Sequence, residues 1–274
     1  MNQITKAELF RKLHAGPEPL LLPNAWDAAS ARLIAAEGYP AIASSSAGCA
    51  GVLGYPDGQR IPRGEMLFLL ARIVQSVDVP VTADIEAGYD DPAQAAGDVI
   101  EAGAVGVNLE DMVGRELLPL DEQLARIRGV RACAESKNVP LVINARTDIF
   151  LAQDGDAETR LERSVERLNA YRSAGADCLF APGVRDGETI GRLVAALTGP
   201  LNILATIGTP SIAELKQLGV ARVSFGSGTW RIALEAARRF ARELRDTGNF
   251  SAIETTAIPY AEMQELLRLD GSQG

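Results

Sequence analysis

The chain has 274 residues, with 27 Lys plus Arg against 36 Asp plus Glu, for a net charge of −9. No basic run offsets that acidity, which argues against a nucleic-acid partner. No apolar run reaches the roughly 18 residues of a membrane span, and the charged, amphipathic start MNQITKAELFRKLHAG lacks the apolar core of a signal peptide, so no membrane association is expected. Three cysteines without CxxC spacing fit free thiols in a reducing cytoplasm. His14 is the single histidine, which argues against a His base or a multi-His metal site.

Two kinds of punctuation alternate along the chain. Pro introduces an apolar strand at Pro19, Pro80, Pro140 and Pro200, the last three at intervals of 60 residues. A helix ending in Gly precedes a short apolar strand at Gly38, Gly103, Gly175 and Gly219. Interleaved, they predict eight strands starting near Leu20, Ala41, Val81, Val105, Leu141, Asp177, Leu201 and Arg222. Helices are expected over Asp27–Glu37, Arg63–Ser76, Pro92–Ala102, Asp121–Glu135, Ala157–Ala174, Glu188–Leu197, Ser211–Leu218 and Thr229–Arg245. Eight strand–helix units, with 47% hydrophobic but only 5% aromatic residues, read as a (β/α)8 TIM barrel with an aliphatic core, in one domain over residues 1–274. A doubly wound open sheet is the alternative. Residues 251–274 form an appendage with a further helical stretch, Pro259–Leu269, which packs either on a neighbouring subunit or on its own chain.

Barrel sites lie at the C-terminal strand ends. Here those ends read Ser44-Ser45-Ser46, Asp84-Ile-Glu86, Asn108-Leu-Glu110-Asp111 and Asn144-Ala-Arg146-Thr-Asp148. Strand alternation places Asp84 with Glu86, Asn108 with Glu110, and Asn144 with Arg146. Three carboxylates at one mouth call for a hard divalent cation, Mg2+ or Mn2+, and the lack of His or Cys beside them argues against Zn2+. Arg146 then faces a ligand carboxylate. A structural role as helix caps or surface charges is the alternative for each acid alone, and Asp91 before Pro92 is read as such a cap. A Gly-rich loop, Ala47–Arg60, follows the second strand and carries Asp57 in Tyr-Pro-Asp-Gly, which is also an ordinary turn sequence. Cys49 is expected to be a small loop residue, Cys178 core and Cys133 helix packing.

Taken in order, Ser44-Ser-Ser, Pro56-Asp57-Gly58, Thr82-Ala-Asp84-Ile-Glu86-Ala-Gly88-Tyr89, Asn108-Leu-Glu110-Asp111 and Asn144-Ala-Arg146-Thr-Asp148 resemble the isocitrate lyase/phosphoenolpyruvate mutase superfamily from about Leu20 to Phe225. The resemblance implies Mg2+ bound by Asp84, with Glu86 and Glu110 holding its waters. It also implies a carboxylate site at Ser44, Ser45 and Ser46, a substrate arginine at Arg146, a gating-loop acid at Asp57, and a homotetramer with an exchanged C-terminal helix. Two departures stand out. The Lys-Lys-Cys-Gly-His stretch of the isocitrate-type lyases is replaced by Met112-Val-Gly-Arg115-Glu-Leu-Leu-Pro119, and the Phe-Pro-Lys-Thr-Asn-Ser-like stretch of the phosphonate-processing members is missing.

The expected activity is therefore a Mg2+-dependent C–C lyase or decarboxylase acting on a small 2-oxo or 2-hydroxy dicarboxylate through a stabilised enolate. Asp57 and Arg146 are expected as catalytic groups, and Ser44, Ser45, Ser46, Asp84, Asn108 and Arg146 as substrate-binding groups. A phosphonopyruvate-type C–P enzyme and a non-catalytic 2-oxo-acid binding protein are the alternatives. A class I aldolase needs a strand lysine, and Lys137 and Lys216 fall in helix or loop patterns.

Overall fold

The computed structural model describes residues 1–268. The chain begins with α1 (Gln3–Leu13), whose first turn is capped by the Asn2 side chain. Then come β1 (Leu20–Leu22), β2 (Asn24–Ala25), α2 (Ala28–Ala36), β3 (Ile42–Ser44), α3 (Ser46–Val52), α4 (Arg63–Gln75), β4 (Val81–Asp84), α5 (Pro92–Glu101) and β5 (Gly106–Glu110). A hairpin of β6 (Met112–Val113) and β7 (Glu116–Leu117) leads into α6 (Leu120–Ser136). The rest is β8 (Val142–Arg146), α7 (Arg160–Ser173), β9 (Cys178–Phe180), α8 (Gly187–Ala196), β10 (Leu201–Leu204), α9 (Ile212–Gln217), β11 (Arg222–Ser224), α10 (Gly228–Thr247), α11 (Ala252–Thr255) and α12 (Tyr260–Leu266).

The main sheet is parallel throughout and runs in the order β1-β11-β10-β9-β8-β5-β4-β3-β2. Its two ends, β1 and β2, are separated in the chain only by Pro23. Proline has no N–H to give a ladder, so one barrel strand is split in two and each half pairs with a different neighbour. The ring is thus the expected eight-stranded TIM barrel, and the strand starts fall within one residue of those read from the sequence.

Aliphatic side chains of low exposure, among them Ile42, Val81, Val107, Ile143, Leu179, Ile203 and Val223, come from the strands around the ring. The helix α1 buries Phe10 against the N-terminal end of β5, where a Cβ on Gly106 would come within 2.8 Å of the ring. This helix was not among the expected elements, because its apolar face is only Ala7, Phe10 and their neighbours.

Two local expectations need correction. The segment Ala47–Arg60 is not a loop throughout: Ser46–Val52 is helical, with the Ser45 hydroxyl accepting from the Gly48 N–H at 3.2 Å as its cap. Gly51 serves close packing, since a Cβ there would overlap the ring of Trp230 on α10. The second concerns Glu86. β4 ends at Asp84, and Glu86 sits two residues on in the left-handed region with φ 53°, so a turn and not strand alternation aims it.

The described part of the appendage packs on its own chain, with Arg32 of α2 donating to the Leu266 carbonyl at 2.8 Å. Leu269 and the tail to Gly274 lie outside the described residues. No helix among the described residues is long and apolar enough to cross a membrane.

Candidate active site at the C-terminal mouth of the barrel

The ends of β3, β4, β5 and β8 converge on Asp84. The Ser44 hydroxyl accepts from the Asp84 backbone N–H at 2.9 Å, which ties β3 to β4 at the mouth. Ser46 donates its own N–H (3.1 Å) and its hydroxyl (2.9 Å) to Asp84 Oδ2. The other oxygen, Oδ1, is buried and accepts from nothing among the described residues. Of the three serines expected to line a carboxylate site, Ser45 is therefore occupied as a helix cap, and Ser44 and Ser46 hold Asp84.

The turn after α3 is docked over this point. Gln59, itself left-handed at φ 55°, donates its backbone N–H to Glu86 Oε2 at 2.7 Å. Asp57 Oδ1 lies 3.5 Å from the Ser46 hydroxyl. Burial and the neighbouring Asp84 carboxylate raise the Asp57 pKa. The same causes, with Asp57 added, push Glu86 up to about 7. Glu110 is raised as well by burial, against the pull of Arg146.

Arg146 is the cation of the cluster. Its Nη1 pairs with Glu110 at 2.8 Å and its Nε with Asp148 at 2.7 Å, over the Phe180 ring. Burial works against its charge, but Glu110, Asp148 and Asp84 outweigh burial and hold it protonated. Asn108 stands in register between Asp84 and Asn144. Its side-chain oxygen accepts from Asn144 Nδ2 at 2.8 Å and from Arg222 Nη2 at 3.1 Å.

The three acids expected to hold a cation reach one mouth but do not close into a shell: among the described residues, no three His, Cys, Asp or Glu side chains form a ready ligand set. What is present suits an ion that keeps most of its waters. Asp84 offers one unpartnered buried oxygen, and Glu86 and Glu110 are acids whose charge is resisted where they stand. Mg2+ is such an ion, dehydrating reluctantly and taking one or two protein carboxylates.

Sequence reading missed the frame behind these groups. Asp111 is fully buried and accepts from Thr147 Oγ1 (2.7 Å), the Asp148 N–H (2.9 Å), Arg167 Nε (3.0 Å) and Tyr171 Oη (2.6 Å). It fixes the end of β8, so that Asp148 can brace Arg146. Arg167 and Tyr171 are four apart on α7, and nothing in their spacing distinguishes them from an ordinary helix face. The cysteines take no part in this cluster. Burial pushes the Cys49 and Cys178 thiols up to about 12, far from a reactive thiolate.

A parallel eightfold barrel with charged groups gathered at its C-terminal mouth has the arrangement of the barrel enzymes, whose sites lie at that face. Comparison with known proteins narrows the class. Residues 10–245 match the family model described as phosphoenolpyruvate phosphomutase, and the chain belongs to that family. It is 32% identical to an oxaloacetate decarboxylase of Chromohalobacter salexigens, covering 94% of this chain and 93% of the relative. The structure of oxaloacetate acetylhydrolase in complex with 3,3-difluorooxalacetate superposes with a TM-score of 0.85 at 28% identity, covering 96% of this chain and 93% of that one. A crystal structure of 2,3-dimethylmalate lyase, described as a PEP mutase/isocitrate lyase superfamily member, does so with a TM-score of 0.84 at 28% identity, covering 97% and 95%. The chain is an enzyme of this superfamily of lyases and mutases.

Proposed function

We propose that this enzyme is a Mg2+-dependent carbon–carbon lyase or decarboxylase for a small 2-oxo or 2-hydroxy dicarboxylate of the oxaloacetate or methylisocitrate kind. The observation that carries the reading is the buried Oδ1 of Asp84, without a donor among the described residues, at the same mouth as a charged Arg146: one anionic point for a cation and one cationic point for a carboxylate. A divalent ion bound there would act as a Lewis acid toward a chelated 2-oxo oxygen.

The chain's own groups would do the rest. Arg146 would bind a ligand carboxylate in exchange for its contact with Glu110. Asn108 would donate a hydrogen bond to a ligand oxygen. The docked turn carrying Asp57 would exclude water. Asp57, with its raised pKa, would take or return a proton at the reacting carbon or hydroxyl. Decarboxylation needs only that proton delivery, which suits a site without the Cys and His of the isocitrate-type lyases.

The test is turnover of oxaloacetate, 2-methylisocitrate, 2,3-dimethylmalate and phosphonopyruvate, each with Mg2+ and with EDTA. Cleavage of any of the first three, abolished by EDTA, is expected. Turnover of phosphonopyruvate alone would replace this reading with a C–P enzyme, in line with the name of the matching family. Mg2+-dependent binding without turnover would replace it with a binding protein. We further propose that the enzyme works in the cytoplasm as a homotetramer.

A further inference from the structure

Arg222, at the start of β11, is completely buried in the barrel. No carboxylate pairs with it among the described residues. Burial lowers its pKa to about 10, so it still carries its charge at neutral pH. Below it lies the Phe10 ring, 5.9 Å from the guanidinium carbon. Among the described residues its one hydrogen bond goes to the side-chain oxygen of Asn108, and its Nε and Nη1 have no partner. An uncompensated charge in a core is costly, so a specific use for it is expected.

A guanidinium has donors only, whereas an asparagine amide has an accepting end and a donating end. Arg222 therefore dictates which end of Asn108 faces the barrel interior: it must be the oxygen. The next link follows. Asn144 has to offer its NH2 to that same oxygen, which leaves Asn144 Oδ1 buried without a donor among the described residues. The NH2 of Asn108 is turned the other way and donates to nothing among the described residues. Without Arg222 both amides could turn over together and keep their mutual hydrogen bond. Asn108 would then show an oxygen where it now shows a donor, next to Asp84.

We propose that Arg222 is a positioning residue that fixes the amide orientation of Asn108 from inside the barrel, so that the Asn108 NH2 is held out to an anionic oxygen of the ligand at the mouth. This rests on the reading of the mouth as a 2-oxo-carboxylate site. It explains why a charge is kept in the core, and it links the N-terminal helix, through Phe10, to the floor of the site.

The test is a double-mutant cycle read by calorimetric binding of oxalate in the presence of Mg2+, with folding checked by circular dichroism. Asn108→Ala is expected to weaken binding about tenfold, the scale of one hydrogen bond to a charged group. Arg222→Gln, which can present either amide end, should weaken it by at least about twofold and at most as much as Asn108→Ala, as the competent orientation becomes one of two. The double variant should bind no worse than Asn108→Ala alone. Arg222→Lys, again donor-only, should stay within about threefold of wild type. Losses that multiply in the double variant would overturn the proposal, because Arg222 would then act on the ligand by its field alone. So would unaltered binding by Arg222→Gln. If the Gln variant fails to fold, the Lys variant decides: folded but binding as weakly as Asn108→Ala, it overturns the proposal. Wild-type protein that binds no oxalate at all would overturn the reading of the mouth and this inference with it, a result distinct from the others.

Discussion

Ser46 gives its backbone N–H and its hydroxyl to the same oxygen of Asp84, at 3.1 and 2.9 Å, and leaves the other oxygen buried without a donor among the described residues. The carboxylate is thus oriented by the protein at one end and open at the other. Asp84→Asn is expected to abolish Mg2+ binding measured by calorimetry, because the amide carries no charge. Ser46→Ala, which removes one of two orienting bonds, should weaken it by less than about tenfold, the range of a single hydrogen bond. EDTA should abolish turnover and Mg2+ or Mn2+ restore it. Full turnover by protein shown to be metal-free would end the metal reading.

His14 gives a second prediction, one that bears on stability. Its Nδ1 lies 2.8 Å from the Phe10 carbonyl and its Nε2 is buried without a partner among the described residues. Burial, and then the positive charge of Arg222, push its pKa down to about 3. In the unfolded chain a histidine titrates near 6.5. The unfolded state therefore takes up a proton first as the pH falls, and the stability tied to neutral His14 is complete above about 6.5 and drains away from there toward 3. The slope attributable to this group is at most about 1.4 kcal/mol per pH unit. His14→Asn keeps a donor for the Phe10 carbonyl but cannot titrate, so its unfolding free energy in urea should fall less between pH 6.5 and 4.5 than that of wild type. Parallel curves would show that His14 is not the group responsible.

The fold was legible because its punctuation is local. Pro80, Pro140 and Pro200 open strands and Gly38, Gly103 and Gly175 close helices, and neither role depends on distant contacts. The site was half legible, for a related reason. Asp84, Glu110 and Arg146 stand on or at the ends of strands, where the period of two fixes their direction. Glu86 reaches the same mouth by a left-handed turn that alternation does not describe. Ser45 was expected as a ligand group, and its hydroxyl oxygen caps α3, a role that a serine before a glycine-rich run offers equally. Asp111, Arg167, Tyr171 and Arg222 act through contacts between residues far apart in sequence, which a single chain does not display.

The helix α10 sets up a third prediction. It runs for 20 residues without burying one of them, and Ile232 is 73% exposed. Leu234, Leu244 and, just beyond, Phe250 and Ile253 are exposed as well. Large apolar side chains left in water are a feature of interaction surfaces. Light scattering is expected to give the mass of a tetramer, and Ile232→Glu to shift it toward smaller species, since a buried carboxylate without a partner disfavours the assembled state. A wild-type monomer that persists at high protein concentration would dispose of the tetramer.

Asp57 carries the last prediction. It sits in a turn held down at two points, by the Gln59 N–H on Glu86 and by its own approach to Ser46 at 3.5 Å. The Ser46 hydroxyl has one proton, and Asp84 at 2.9 Å is the better acceptor, so Asp57 gains little from that contact while ionised. Protonated, it could instead donate to the Ser46 oxygen, and burial with the nearby Asp84 already raises its pKa in that direction. A carboxyl whose pKa is moved upward is moved in the direction that acid–base work near neutral pH asks for. Asp57→Asn keeps the size and polarity of the turn but cannot exchange a proton. It should bind oxalate with Mg2+ within about threefold of wild type while turnover falls by roughly 10² or more, the usual contribution of a general acid–base group. Asp57→Ala should show the same loss of turnover. If binding falls and turnover at saturation does not, Asp57 merely holds the turn closed. If neither changes, Pro56-Asp57-Gly58 is an ordinary turn and the proton comes from elsewhere in the mouth.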